Sequence, residues 1–148
     1  KSAAIAPATV TAPVGLVSLA ATFADIAGLP RPAYTEAAAL PVNNDDAHAR
    51  GFERVLTEWD SNLFGKVVGV RTIHRDGFTC TAMLPGTIHD GTEGELYDLT
   101  ADPLQQDNRW DDPALAGLRA DLLADLADHE ATNNEVTFLC DELEGRTI

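Results

Sequence analysis

A chain of 148 residues that is 45 % hydrophobic can form one domain with a buried core, and is too apolar to be disordered over most of its length. No apolar run approaches the ~20 residues that span a bilayer, so no membrane association is expected. The net charge of −14 is carried by residues 76–148, where seventeen acids meet three bases, whereas residues 1–75 balance seven against seven. Such a surface repels phosphate backbones and excludes nucleic acid as an expected partner; a solubilising acidic face accounts for it.

The chain opens on Lys1 rather than Met, and its first residues are too short an apolar stretch for a signal peptide, which predicts a processed or truncated product. Two cysteines, Cys80 and Cys140, are too few for a disulfide framework and lean the expectation toward the cytoplasm. Residues 1–12 are small and aperiodic and predict an extended lead-in. From Val14 to Ala27 the sequence is apolar almost all round, with Gly28, Pro30 and Pro32 behind it, which predicts a buried helix with a glycine stop. Residues 30–50 are expected to be loop, with Asn43-Asn44-Asp45-Asp46 breaking any pattern.

Three β-type segments follow, near 52–57, 66–74 and 77–83, the last two joined by a turn at Arg75-Asp76-Gly77. Glu95-Leu96-Tyr97-Asp98-Leu99 predicts a fourth strand, and an antiparallel sheet is the economical assembly. At Asp112 a cap, Pro113 in the first turn, and Leu115, Leu118, Leu122, Leu123 and Leu126 at helical spacing predict a helix that packs on the sheet. The tail after His129 is weakly patterned.

Chemistry is thinly represented. His89-Asp90 with Glu93 and Glu95, and His74 with Asp76, match no strong metal-ligand spacing. Asp90-Gly91-Thr92-Glu93-Gly94-Glu95 lacks the alternating ligands of a calcium loop. The serines, Ser2, Ser18 and Ser61, lie in no nucleophile elbow. Cys80, flanked by Thr79 and Thr81, is expected to be a packed thiol, and the acids beside Cys140 would raise its pKa. Glu58-Trp59-Asp60-Ser61-Asn62, an aromatic among polar groups ahead of Leu63-Phe64-Gly65, is the best candidate for a ligand-contacting loop; otherwise Trp59 covers the edge of the core.

Three pieces, in order, resemble the C-terminal region of sulfatases, members of the alkaline-phosphatase-like superfamily. Pro13-Val14 through Gly28-Leu29-Pro30 is similar to the family's Pro-Val, apolar helix and Ala-Gly-Leu-Pro. Val70-Arg71-Thr72 resembles its Val-Arg-Thr strand. Gly94 to Pro103, with Asn108 five residues on, resembles the strand and turn before its last helix. Ser18 stands where the family usually has Asp, Ala21 where it has Pro, and Gln105 where an acid is common, and no aromatic-Lys pair follows Arg71-Thr72. The resemblance spans about residues 13–129.

It implies an α+β fold: an antiparallel sheet of about four strands packed against a C-terminal helix, with an N-terminal buried helix, docked on a larger α/β domain. Residues 1–50 would belong to the end of the catalytic domain, 51–129 would form the C-terminal subdomain, and 130–148 a tail. In intact sulfatases a Cys or Ser in Cys/Ser-x-Pro-x-Arg becomes formylglycine, whose hydrate attacks sulfur beside a divalent metal, calcium by resemblance. Neither cysteine here nor any serine sits in that motif. The expected partner is therefore a missing N-terminal catalytic domain, the parent substrate a small-molecule sulfate ester, and the chain alone inactive, with no cofactor of its own. Glu58, Trp59, Asn62 and His89 are the candidate substrate-contacting residues. A phosphodiester or phosphonate monoester hydrolase of the same superfamily, and a non-catalytic acidic interaction module, are the alternatives. Isolated, the chain is expected to expose an apolar patch formed partly by residues 14–27.

Overall fold

The computed structural model describes residues 7–33, 35 and 37–129. Four strands follow two short helices in the order α1 (Ser18–Ala27), α2 (Asn44–Ala49), β1 (Arg54–Leu63), β2 (Lys66–Arg75), β3 (Phe78–Leu84) and β4 (Gly94–Asp98). A 3-10 turn at Pro113–Leu115 leads into a helix, α3, over residues 116–129. The strands lie in sequence order β1-β2-β3-β4 in one sheet. Two-residue connections, Phe64-Gly65 and Asp76-Gly77, make the first two pairings antiparallel hairpins, since parallel neighbours need a long crossover. All four turn residues have positive φ, between 53° and 79°, the geometry that matches the twist of paired strands. The described residues form two compact units, those up to Leu56 with His74–Gly77, and Thr57–Ile73 with those from Phe78 on.

In the second unit the sheet has one apolar face. Register pairs Cys80 with Leu96, and the Asp76-Gly77 turn sets Ile73 opposite Cys80, so three fully buried side chains line up across three strands. Helix α3 supplies buried Leu122 and Leu126. Its Arg119 guanidinium stacks 4.9 Å from the centre of the Trp110 ring, donates to the Trp110 carbonyl, and acts electrostatically on Cys80. The Trp110 ring lies directly over Gly94, where any side chain would strike the ring. The outer edge of β4 is closed by the chain that returns toward the helix. Leu96 N–H donates to the Asn108 side chain at 3.0 Å, Asn108 Nδ2 donates to the Gly94 carbonyl at 3.1 Å, and Arg109 N–H donates to the Leu96 carbonyl at 2.8 Å. A side-chain amide thus does the work of a neighbouring strand, which leaves this edge unavailable for pairing.

The first unit is built on small residues. Among its described residues the buried apolar side chains are alanines, Ala21, Ala24, Ala39 and Ala47. Helix α1 ends in a Schellman motif: Gly28 has φ 65°, its N–H donates to the Asp25 carbonyl at 3.2 Å, and Leu29 N–H reaches the Ala24 carbonyl at 2.9 Å. The Thr22 hydroxyl donates to the Ser18 carbonyl and accepts from Leu40 N–H at 2.8 Å, which ties the following segment to α1.

Three expectations are corrected. Residues 30–50 are not all loop, because Asn43 acts as a helix cap and not as a breaker. Its side chain accepts from Asp46 N–H at 2.8 Å, and Asp45 and Asp46 occupy the first turn, where the helix dipole favours acids. Asp46 also accepts from Val42 N–H and Arg50, which hold its carboxyl below its ordinary pKa. Strand β1 runs on to Leu63, so Glu58 to Asn62 is strand and not loop; the turn falls at Phe64-Gly65. Segment 14–27 is not buried all round: Val14, Leu16, Val17, Phe23 and Ile26 face solvent, as the apolar patch expected of the isolated chain requires. The hairpin turn at Asp76-Gly77, the four-stranded antiparallel sheet, the Gly28 stop and the Asp112 cap, which accepts from Ala114 N–H at 2.8 Å, agree with the sequence.

Asn108→Ala removes the groups that satisfy the β4 edge and is expected to lower stability by about 2 kcal/mol in urea unfolding, with Asn108→Asp, which keeps the acceptor, less affected. Equal unfolding midpoints for the alanine variant and the parent chain would contradict this role. Burial pushes the Cys80 thiol up to about 11, against the opposing pull of Arg119. In a Cys140→Ser background Cys80 is expected to alkylate at about pH 8 roughly 100-fold more slowly in the native chain than in urea. Because the folded pKa is raised, the neutral thiol's contribution to stability is complete below its unfolded value of 9.0 and is lost as pH rises toward about 11. A native alkylation rate equal to that in urea would contradict the buried placement.

Candidate functional site

Alternation along β1 separates the sequence-derived candidates. Glu58, Asp60 and Asn62 share one face of the sheet, while Trp59 projects from the other. On the first face Arg71 grips Asp60 with two parallel bonds, Nη1 to Oδ1 and Nη2 to Oδ2, each 2.9 Å, and its Nε lies 3.8 Å from Glu58. The two-residue turn at Phe64-Gly65 puts Asp60 opposite Gly69 and Glu58 opposite Arg71. Gly69 leaves room for the pair, since an added Cβ would stand a tight 3.0 Å from the Asp60 carboxylate and 3.1 Å from Leu84. The Arg71 side chain is 13 % exposed and Asp60 64 %, so the guanidinium is held down on the sheet and the carboxylate reaches solvent.

His89 belongs to the loop between β3 and β4, which doubles back along the start of β2. Val67 N–H donates to the Thr87 hydroxyl at 2.7 Å and Thr87 N–H to the Val67 carbonyl at 3.0 Å. Gly86 permits this approach, because any Cβ there would strike the Val67 carbonyl. His89 Nδ1 lies 3.5 Å from Glu93, and the carbonyl of His89 accepts from Gly86 N–H at 2.9 Å. Asp90 accepts from both the N–H and the hydroxyl of Thr92, which hold its carboxyl below its usual range. The hairpin register sets Asn62 opposite Val67, so the loop bearing His89 is anchored to the strand position beside Asn62. Glu58 and Asn62 share a face of β1, and the loop that bears His89 is tied to the β2 position opposite Asn62; Trp59 lies on the other face.

Both places are acidic: Glu58 and Asp60 on β1 stand against an arginine engaged by Asp60, and Asp90 and Glu93 lie in the loop that carries His89. Carboxylates of this kind accept hydrogen bonds from hydroxyl groups and repel a free sulfate. Asp60 and its clamp by Arg71 were not singled out from the sequence. The available signal was the Phe64-Gly65 turn, which fixes the register once it is placed. Among the described residues, no three His, Cys, Asp or Glu side chains converge as a metal site, and no helix is long and apolar enough to cross a membrane. His74, in the first unit, has its pKa lowered by burial. Arg71→Ala is expected to cost about 1 kcal/mol of stability, less at high salt, as for a partly exposed two-pronged ion pair. An unfolding curve indistinguishable from that of the parent chain at low salt would remove the clamp from the account.

No family model matches the chain, and no curated protein does. Solved structures do. A Bacteroides thetaiotaomicron VPI-5482 protein assigned as a sulfatase aligns with TM-score 0.57 and 25 % identity, over 75 % of this chain and 23 % of that one. A 2-O GAG sulfatase aligns with TM-score 0.59 and 26 % identity, over 75 % of this chain and 23 % of its own. A protein solved in complex with its substrate D-glucosamine-2-N,6-O-disulfate aligns with TM-score 0.58 and 19 % identity over 80 % and 24 %, a likeness of fold. The chain spans 23–24 % of the length of these structures. The antiparallel sheet, its closing helix and this partial match together identify the chain as a sulfatase-like C-terminal region.

Proposed function

We propose that this chain is the C-terminal part of a sulfatase-family enzyme whose reaction is the hydrolysis of a sulfate ester, and that residues 51–129 are its C-terminal subdomain. The observation that carries the reading is the agreement of sheet and closing helix with sulfatases at 25–26 % identity, covering only 23 % of their length. Formylglycine and a divalent metal, if the enzyme follows the resemblance, would supply the nucleophile and the charge stabilisation at sulfur. The described residues of this chain do not fit either group, and Cys140 lies in no Cys-x-Pro-x-Arg sequence. Cys80 is fully buried with a raised pKa and lies in Cys80-Thr81-Ala82-Met83-Leu84, and the described carboxylates and imidazoles form no cluster that would hold a cation. On this reading the nucleophile and metal ligands belong to the rest of the fold, and the chain alone is expected to be inactive.

Within that enzyme the role of this chain is to wall the substrate pocket. Glu58, Asn62 and His89 offer acceptors and donors to hydroxyl groups of the ester's alcohol portion, whereas Trp59, on the opposite face of the sheet, has no part in that wall. The acidity of the surface opposes nucleic acid as a partner. A buried free thiol at Cys80 fits a cytoplasmic setting.

The test is turnover of an aryl sulfate and an aryl phosphodiester by the gene's full product and by residues 1–148 alone. The full product is expected to hydrolyse the sulfate ester and the shorter chain neither. Asn62→Ala and His89→Ala in the full product are expected to raise KM about tenfold with kcat nearly unchanged, the signature of lost ground-state binding. Phosphodiester turnover without sulfate turnover would replace the reading with its superfamily alternative.

A further inference from the structure

The loop between β3 and β4 fixes an imidazole and a carboxylate against each other. His89 Nδ1 lies 3.5 Å from Glu93 Oε2, and the same oxygen accepts from Asp90 N–H at 3.1 Å. Both residues are held at the backbone: the His89 carbonyl accepts from Gly86 N–H at 2.9 Å, and the Glu93 carbonyl from Met83 N–H at 3.2 Å. Thr87 ties this half of the loop to Val67 through its hydroxyl and its N–H. The neighbouring carboxylate, Asp90, is turned to Thr92, whose N–H and hydroxyl donate to its Oδ1 at 2.8 and 2.6 Å. Glu93 is therefore the acid that the ring faces. The His89 side chain is 26 % exposed and that of Glu93 49 %, so solvent screens the pair only in part.

That contact decides which ring nitrogen carries the proton. A neutral imidazole has one N–H and one lone pair. A lone pair on Nδ1 would face the negative charge of Glu93, whereas an N–H there is attracted to it, so the carboxylate favours the proton on Nδ1. With Nδ1 committed to Glu93, Nε2 keeps its lone pair and can only accept. We propose that Glu93 is a positioning residue: it sets the His89 tautomer so that Nε2 accepts a hydrogen bond from a free hydroxyl of the ester's alcohol portion. The proposal rests on the reading of His89 as a substrate contact, and adds to it the residue that orients the ring and the group the ring selects. A second sulfate or a carboxylate on the alcohol offers Nε2 no donor and meets the charge of Glu93 and Asp90. The substrate class selected at this position is therefore a hydroxylated alcohol with no further anionic group beside the ring. An unconstrained histidine ring favours the proton on Nε2, so the tautomer set by Glu93 is not the default.

The experiment reads that tautomer directly. The gene's full product is labelled in its histidine ring nitrogens and recorded by long-range proton–nitrogen correlation, at a pH where imidazoles are neutral. The His89 signals are assigned by their loss in His89→Gln. The expected result is a protonated Nδ1 and an unprotonated Nε2, with Glu93→Ala returning the proton to Nε2. A protonated Nε2 at His89 in the parent protein would overturn the proposal, whatever any variant does. The second readout is turnover of nitrocatechol sulfate, whose alcohol portion carries a free hydroxyl. Glu93→Ala is expected to raise KM about fivefold with kcat nearly unchanged, and to add nothing in a His89→Ala background. The same rise in both backgrounds would show that Glu93 does not act through His89. Because the tautomer is read without substrate, a full product that turns over no sulfate ester overturns the sulfatase reading separately.

Discussion

Leu96 is the residue on which the sheet-and-helix unit depends. Its side chain is fully buried opposite Cys80, and its N–H and C=O, turned to the outer edge of β4, are taken by Asn108 and Arg109. That arrangement settles two problems at once. An open β-edge would leave backbone groups exposed to pairing with another chain, and the segment after β4 must turn back before α3 can cover the apolar face. Asn108 answers both, since it also accepts from Trp110 N–H at 3.0 Å and so directs the indole over Gly94. Trp110 then bonds to the Thr92 carbonyl at 3.1 Å and receives Arg119 from α3 on its ring. Packing of the leucines in α3 follows from this chain of contacts and does not rest on hydrophobic patterning alone.

How much of this was legible in the sequence depended on whether one residue type carried one meaning. Gly28 before Leu29-Pro30 has few uses other than a helix stop, and Asp76-Gly77 few other than a hairpin turn; both were placed. Asp112 ahead of Pro113 and a leucine stripe was similarly unambiguous. Asn43 was not, because an Asn-Asn-Asp-Asp run serves as well for a loop as for a cap with acids in the first turn, and only the bonds to Asp46 decide it. Phe64-Gly65 was harder still. A phenylalanine at positive φ is an unusual turn residue, and without that turn β1 ended too early and Glu58 to Asn62 looked like loop. The candidate site suffered directly: the pleat that separates Trp59 from Glu58 and Asn62, and the Asp60–Arg71 clamp, both follow from the register that this turn sets.

The two units also differ in what holds them. The sheet unit buries Ile73, Cys80, Leu96, Leu122 and Leu126, residues large enough to form a core without help. Among its described residues, the unit that contains α1 buries alanines and leaves Leu16, Val17, Phe23, Ile26 and Leu29 exposed. Alanine contributes little transfer free energy, so the order of that segment leans on capping and on bonds such as Thr22 to Leu40 and Arg50 to the Ala39 carbonyl.

These residues are proposed to be the C-terminal region of a sulfatase-family enzyme, and that proposal has a direct test. It is tested most directly by the intact mass and complete peptide map of the natural gene product that contains residues 13–129. The account predicts a longer polypeptide with a formylglycine at the Cys or Ser of a Cys/Ser-x-Pro-x-Arg sequence. A natural product that ends at the present chain, with no such modified residue and no partner polypeptide that bears one, would contradict it and leave a non-catalytic acidic module in its place.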